Sequence, residues 1–506
     1  MKRFALLLAA CGATPPQPPP IVRPVPEPTA PVTEDVEKSA TIGGVRFVFR
    51  AGRMTNFLEQ VDCLAEVIVC SREAFHSMWK LDSGDQLALT VWRDLRSHYS
   101  GQIEAGLDPD TDPALPLAYH PRDIEAALRV AGFGARDTAD YLSRLSVFAS
   151  SSDVDAARGV LARFETRATD YWHANRPELL TALDGYLALA QRDDVKAIAG
   201  NVAHFYSIEP TAARQTFELV WRPKHDSPTT AQELGELAVV EAQSGEPPSG
   251  QWPVVAHEMF HAWFSASPID KQAALVASFV ASKDPIAQPA YAILDEVLAT
   301  AFGNGLVARA VDKADYERRL GHPNGFYNDT FIDAVAKALL PALEKRIAAH
   351  GTVFDPDFVA EYLAAAQAAF PHGFPPRSYL RPLNFLYEPV LKSSNDHLRE
   401  VAGANYSDGG DTSSLETFAL VAKHPGWGSA LLVTKPHLDL LAPVIDKPTL
   451  AALKKQTATS FVFAQRHTPI GVTFVFVAAD DAAMTKLIDQ FATAIALHDG
   501  VITTGP

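Results

Sequence analysis

The sequence predicts an α+β fold, a mainly helical body with a short sheet followed by a small α/β module at the C-terminus. Three observations lead there. From Arg122 to about Asn201, Ala and Leu recur at three- and four-residue intervals, the period of helices with one buried face. Short runs rich in β-branched and aromatic residues flank that block: Thr41–Arg50, read as one strand entering the folded body, then Phe217–Arg222 and Leu237–Glu241. Past Tyr406 the composition changes. Ser407–Ser414 has the Gly, Asp and Ser content of a linker or exposed loop. Strand-like runs follow at Ser429–Thr434, Ser460–Ala464 and Val472–Val477, and a helix is expected over Asp481–Leu497. Hydrophobic residues make up 47% of the 506, enough to build real cores, and the length suits two to four domains at roughly 100–200 residues each.

Charge and composition exclude several classes of function. Lys and Arg number 44 against 60 Asp and Glu, a formal net charge of −16. Binding nucleic acid requires clustered cations to neutralise phosphates, so no nucleic-acid partner is expected. No apolar run reaches the ~20 residues of a bilayer-spanning helix. Three cysteines exclude a disulfide-rich scaffold and a cysteine-based zinc finger. The chain has neither a Gly-x-Ser-x-Gly elbow nor a Walker-type glycine loop.

The first residues read as an address. Met1-Lys2-Arg3 precedes the apolar stretch Phe4–Ala10, and Cys11-Gly12 follows, the layout of a secretory signal. Leu8-Ala9-Ala10-Cys11 resembles the lipobox of bacterial lipoproteins. The resemblance implies a signal peptide over residues 1–10, cleavage before Cys11, and attachment to a membrane through lipid on Cys11. It implies a bacterial cell-envelope location, as an outer-membrane lipoprotein facing the periplasm or the surface, since Gly12 replaces the Asp that signals inner-membrane retention. Prolines dominate Thr14–Pro31, which makes a stiff extended spacer; the linker is drawn over residues 11–38. Cys63 and Cys70 remain as a pair. An oxidising compartment favours a bridge, yet seven residues of continuous helix rise about 10 Å, more than the ~7 Å a bridge allows. Either the backbone turns between them or they are two buried thiols.

The chemistry concentrates in Trp252-Pro-Val-Val-Ala-His257-Glu258-Met-Phe-His261-Ala-Trp-Phe264. On a helix, His257 and His261 fall on one face a single turn apart and can share one Zn²⁺, with Glu258 beside any coordinated water. Pro253 suits the first turn of that helix, and the Gly/Pro/Ser-rich stretch Ser244–Gly250 ends what precedes it. Every other position from Val254 to Phe264 is apolar, the mark of a buried helix. A buried carboxylate is costly unless paired or near a metal; three separately satisfied core side chains explain the segment less simply than one metal site does. A third ligand is available in the apolar helix expected over Ala290–Phe302. There Asp295 and Glu296 point about 100° apart, so one of them faces the metal: Glu296 is assigned as the ligand and Asp295 as a supporting carboxylate. Small Ala299 and Thr300 allow a close helix approach, and Gly303-Asn304-Gly305 reads as a glycine-type stop.

His257-Glu258-x-x-His261 with a downstream glutamate helix resembles the gluzincin metallopeptidases, the thermolysin-like and aminopeptidase-like enzymes. The resemblance covers residues 235–305. It implies a zincin-like, mainly helical core with a short antiparallel sheet, drawn over residues 236–406 between an N-terminal helical/β region (39–235) and the α/β module (407–506). It implies Zn²⁺ held by His257, His261 and Glu296, a peptide or protein substrate, and hydrolysis by a zinc-activated water with Glu258 as general base. Gluzincins also supply a downstream Tyr or His to the oxyanion; Tyr327 is the first choice, with Tyr362 and Tyr387 in reserve. Leu237–Glu241 would be the substrate-pairing edge strand. Thr300 stands where the thermolysin group has an Asp, and the Gly-Ala-Met-Glu-Asn loop of the better-known aminopeptidases is missing. The rival reading is a non-catalytic envelope lipoprotein that uses the same fold as a binding scaffold.

Overall fold

The strand expected over Thr41–Arg50 is two strands. β1 (Val36–Ile42) and β2 (Val45–Ala51) pair antiparallel, with Val36 opposite Ala51 and Ile42 opposite Val45. The computed structural model describes residues 35–504 apart from 43–44, 69, 100–123, 209–213, 227–229, 235–236, 405, 424–426, 468–470 and 496. The expected signal peptide and Cys11 lie outside the described residues, while the linker drawn to residue 38 ends sooner, because Val36 already belongs to β1.

Seven helices follow β2 among the described residues: α1 (Arg53–Leu64), α2 (Arg72–Trp79), α3 (Ser83–Tyr99), α4 (Ile124–Gly132), α5 (Thr138–Leu145), α6 (Ser151–Ala190) and α7 (Asp193–Phe205). Ser150 starts the long α6 by accepting from the Asp153 amide, one of the bonds an otherwise bare helix end needs. The helices from α1 to the first half of α6 close their own apolar core around Phe57, Trp92, Tyr141 and Phe164. Between Cys63 and Cys70 the backbone does turn. α1 stops at Leu64, Glu66 takes a positive φ of 62°, and the two cysteines are bridged with Cα atoms 5.7 Å apart.

The chain then returns as β3 (Arg214–Arg222), β4 (Ala231–Leu234) and β5 (Leu237–Gln243). The five-stranded sheet has the order β1-β2-β3-β5-β4. β2, β3 and β5 run parallel, and β1 and β4 are antiparallel edges. It is therefore a mixed sheet rather than the antiparallel one expected, because the helical excursion between β2 and β3 is long enough to bring the chain back in the same direction. The sheet also crosses residue 236, so the regions drawn as 39–235 and 236–406 share it. β5 lies inside the sheet, hydrogen-bonded on both sides, so the edge on its side belongs to β4 and not, as expected, to Leu237–Glu241.

After β5 come α8 (Pro248–Ser265), α9 (Ile269–Ala281), α10 (Ala287–Ala292), α11 (Leu294–Ala299), α12 (Ala308–Val311), α13 (Lys313–Leu320), α14 (Thr330–Ala348) and α15 (Phe358–Ala369). The second sheet starts before residue 407, at β6 (Pro382–Tyr387); α16 (Lys392–Ala402), β7 (Tyr406–Asp411), α17 (Leu415–Lys423), β8 (Gly428–Thr434), α18 (Lys447–Lys455), β9 (Phe461–Arg466), β10 (Val472–Ala478), α19 (Asp481–Ala492) and β11 (Gly500–Thr504) complete it. Its order is β11-β9-β10-β8-β6-β7, parallel from β10 to β7. Residues 407–411, expected in a linker, are thus an edge strand, and the last helix ends at Ala492 instead of Leu497. The fold is α+β, and residues from Asp35 onward cluster as one compact unit with the main core continuous from the first sheet into the second. Among the described residues no helix is long and apolar enough to cross a membrane.

Candidate metal centre

α8 starts a turn earlier than its sequence suggests. Pro247 is the N-cap and Pro248 the first residue, which leaves Pro253 inside the helix. The position costs one backbone hydrogen bond, and burial offsets it. Trp252 packs against Phe49 of β2, and Phe260 against Trp263 and Phe302. His257, Glu258 and His261 are all buried in this apolar helix.

The glutamate helix differs from expectation at its end. Gly303 and Gly305 do not stop it. α11 runs on through a π-helical stretch, Thr300–Val307, into α12, and neither glycine has a positive φ. Gly303 serves a different need. A Cβ there would lie 2.7 Å from the His257 backbone nitrogen and 2.8 Å from the Pro253 carbonyl oxygen. The missing side chain is what lets the His257 and Glu296 helices touch backbone to backbone, closer than Ala299 or Thr300 would explain.

That contact brings the three expected ligands together. One ligand atom from each of His257, His261 and Glu296 lies within 4.8 Å of the others. The two imidazole Nε2 atoms are 2.9 Å apart, and Glu296 Oε2 is 3.4 Å from one and 3.5 Å from the other. Asp295 turns outward from this point and takes the far nitrogen of His261, with Nδ1 and Oδ2 2.9 Å apart. In the neutral ring this bond holds the proton on Nδ1 and leaves the lone pair on Nε2. It is therefore Asp295, and not a residue at position 300, that braces an imidazole; Thr300 is fully buried.

The electrostatics follow from burial against neighbours. Burial raises the Glu258 carboxyl above its ordinary value, and the two imidazoles only partly restrain it. Burial disfavours charge on His261, yet the adjoining Asp295 and Glu296 carboxylates outweigh it and lift its pKa well above the usual histidine range. Glu296 is the converse: burial pushes it up, and the facing His257 and His261 pull it far below an ordinary carboxylate. One donor atom from each of the three groups faces a single buried point, an arrangement that could hold a cation in place of the imidazole proton. Two imidazoles and one carboxylate are also the donor set that suits zinc.

Tyr327 reaches the same place from the loop before α14. Its ring stacks on His257 at 5.6 Å between centroids, 20° from parallel. Burial, together with the facing Glu296 and Glu258 carboxylates, raises its hydroxyl pKa far above the ordinary tyrosine value, so it stays a donor. The reserve tyrosines are engaged elsewhere. The Tyr362 hydroxyl donates to the Ala290 carbonyl at 2.7 Å, and Tyr387 lies in β6 of the second sheet, stacked on Phe385.

The sequence reading did not single out the residues that hold the Tyr327 loop. Asp333 on α14 is the one acid within Phe331–Leu343, and that isolation was the available signal. Compared with family models, curated proteins and solved structures, the chain matches none of them.

Proposed function

We propose that the protein is a zinc metallopeptidase, tethered in a bacterial cell envelope through lipid on Cys11, that hydrolyses peptide bonds in a peptide or protein substrate. The observation that carries this reading is the convergence of His257, His261 and Glu296 on one point with the buried Glu258 carboxylate in the same helix turn. His257 Nε2, His261 Nε2 and Glu296 Oε2 would hold the metal. Zinc so bound would supply acidity to a coordinated water and Lewis-acid polarisation of a carbonyl oxygen.

The remaining steps belong to the chain's own residues. Glu258 accepts the proton from the attacking water as the new C–O bond forms and the carbonyl carbon becomes tetrahedral, then delivers it to the amide nitrogen, so the C–N bond breaks as the carbonyl re-forms. The Tyr327 hydroxyl, on a ring stacked against His257 and within hydrogen-bonding reach of Glu296, donates to the oxygen on which negative charge develops. Asp295 keeps His261 in the tautomer that offers Nε2 inward. β4, which α8 packs against, leaves the Ala231 and Glu233 main-chain groups on its open edge, a template for an extended peptide.

The test is metal content together with one isosteric change. Purified protein should carry about one zinc per chain, and Glu258→Gln should keep that zinc while peptide turnover falls by at least about 10²-fold, the scale of a general-base contribution. Zinc retained with turnover unchanged defeats the mechanism. Zinc bound with no turnover in the native chain favours the scaffold reading. Absence of metal binding defeats the peptidase reading.

A further inference from the structure

The hydroxyl of Tyr327 can act on a substrate only if the loop that carries it, residues 321–329, keeps a fixed distance from the ligand helices. Loops do not do that unaided. This loop is held at several main-chain points. Asp333 Oδ1 accepts from the amides of Phe326 at 2.7 Å and Tyr327 at 3.3 Å, and its Oδ2 accepts from the Asn324 amide at 3.1 Å. The carboxylate is buried, with Lys337 Nζ 2.9 Å away as its counter-ion. On the other side, Asn304 Nδ2 donates to the Phe326 carbonyl at 3.0 Å. Arg319 adds bonds to the Gly325 and Phe326 carbonyls at 2.7 and 3.2 Å.

Asn304 is the informative member. It belongs to the π-helical continuation of the very helix that carries Glu296, next to the Gly303 that touches His257. Its side chain is buried at 5% exposure, and its amide nitrogen reaches across to the residue preceding Tyr327. A buried Asn is expensive unless it secures something. One rigid element thus carries a ligand and, two turns on, a bond to the loop that carries the tyrosine.

We infer that Asn304 and Asp333 are positioning residues for Tyr327: Asn304 ties the tyrosine loop to the Glu296 helix, and Asp333 gathers the loop's amides from α14. The inference rests on the peptidase reading for its effect on turnover. Its structural half does not.

The experiment is a double-mutant cycle with a second readout that needs no turnover. In the zinc-loaded, full-length chain, Asn304→Ala should lower kcat about tenfold, the worth of one well-placed hydrogen bond, with KM changed less than about threefold and zinc stoichiometry unaltered. In a Tyr327→Phe background the same substitution should change kcat by less than about twofold, because it acts through the hydroxyl already removed. Losses that multiply, or a loss confined to KM, overturn the inference. Asp333→Asn, which keeps an acceptor oxygen and the shape, should show the same pattern more weakly and guards against misfolding of a harsher change. Amide hydrogen exchange at Asn324, Phe326 and Tyr327 is the independent readout. Both variants should exchange there at least about tenfold faster than the native chain while α8 stays protected, and unchanged protection overturns the clamp whatever the activity. If Glu258→Gln leaves turnover intact, the peptidase reading fails instead, and faster exchange still supports the clamp.

Discussion

Gly303 and His257 meet backbone to backbone: a methyl group on Gly303 would sit 2.7 Å from the His257 nitrogen, inside any tolerable contact. Neither partner can swing away, because each is main chain in the middle of a buried helix. Gly303→Ala therefore has to push α8 and the glutamate helix apart, at a cost of roughly 1–3 kcal/mol of stability. Parting the helices would also part the three proposed zinc ligands. The variant should melt earlier and bind zinc at least about tenfold more weakly, read by thermal unfolding and chelator competition. Native zinc affinity in a folded Gly303→Ala chain would show that this contact does not set the site.

Asp295 gives a second, finer test. Its carboxylate holds His261 Nδ1 at 2.9 Å. Asp295→Asn keeps the shape, removes the charge, and lets the amide present a donor where an acceptor was. Braces of this kind are worth about 10- to 100-fold in metal affinity. Zinc dissociation should rise by that factor with the fold intact by circular dichroism. Unaltered affinity would reduce Asp295 to a packing role.

How much of this was legible in the sequence depends on whether the signal was local. His257, Glu258 and His261 were, because helix periodicity alone puts the two imidazoles on one face. Glu296 was, because a charge in an apolar helix needs a reason. Gly303 was read as a stop, since the absence of Cβ permits both a helix end and a close approach, and only the neighbouring helix decides which. Strand order was not legible either: nothing in Ala231–Leu234 or Leu237–Gln243 says which becomes the edge, as that depends on pairing with β3. β7 hides for the same reason. Tyr406–Asp411 has the composition of a loop, yet it pairs with β6, and Gly409, at φ 144°, lies where a Cβ would strike the Phe385 carbonyl.

Glu218 makes stability depend on pH. It sits opposite Arg50 on adjacent parallel strands, with the guanidinium 3.2 Å from its carboxylate. Burial still outweighs that attraction and raises its pKa from 4.5 to about 7. With the folded value above the unfolded one, its contribution is fully present below about pH 4.5 and is lost as pH rises through 7. A shift of this size is worth roughly 3 kcal/mol. Glu218→Gln removes the titration, so the variant should gain on the native chain by about that amount between pH 4.5 and pH 8. Urea unfolding at the two pH values measures it, and a constant difference would refute the assignment.

The Cys63–Cys70 bridge closes a turn whose next residue supports the sheet edge. Ser71 donates to Glu241 of β5 through its amide at 3.0 Å and its hydroxyl at 2.7 Å, and the same carboxylate accepts from the Thr230 amide, just before β4, at 2.9 Å. The bridge spans seven positions, and in the chain-entropy view a loop of that length restricts the unfolded state by about 2–3 kcal/mol. A Cys63→Ala/Cys70→Ala chain should lose that much in urea unfolding. Reductant should bring the native protein down to the same level and leave the variant where it was. Because Ser71 and Thr230 share one carboxylate, loosening the turn should also speed amide exchange at Thr230 ahead of the rest of the sheet. A reductant effect of equal size on both chains would place the sensitivity elsewhere and remove the bridge from the account.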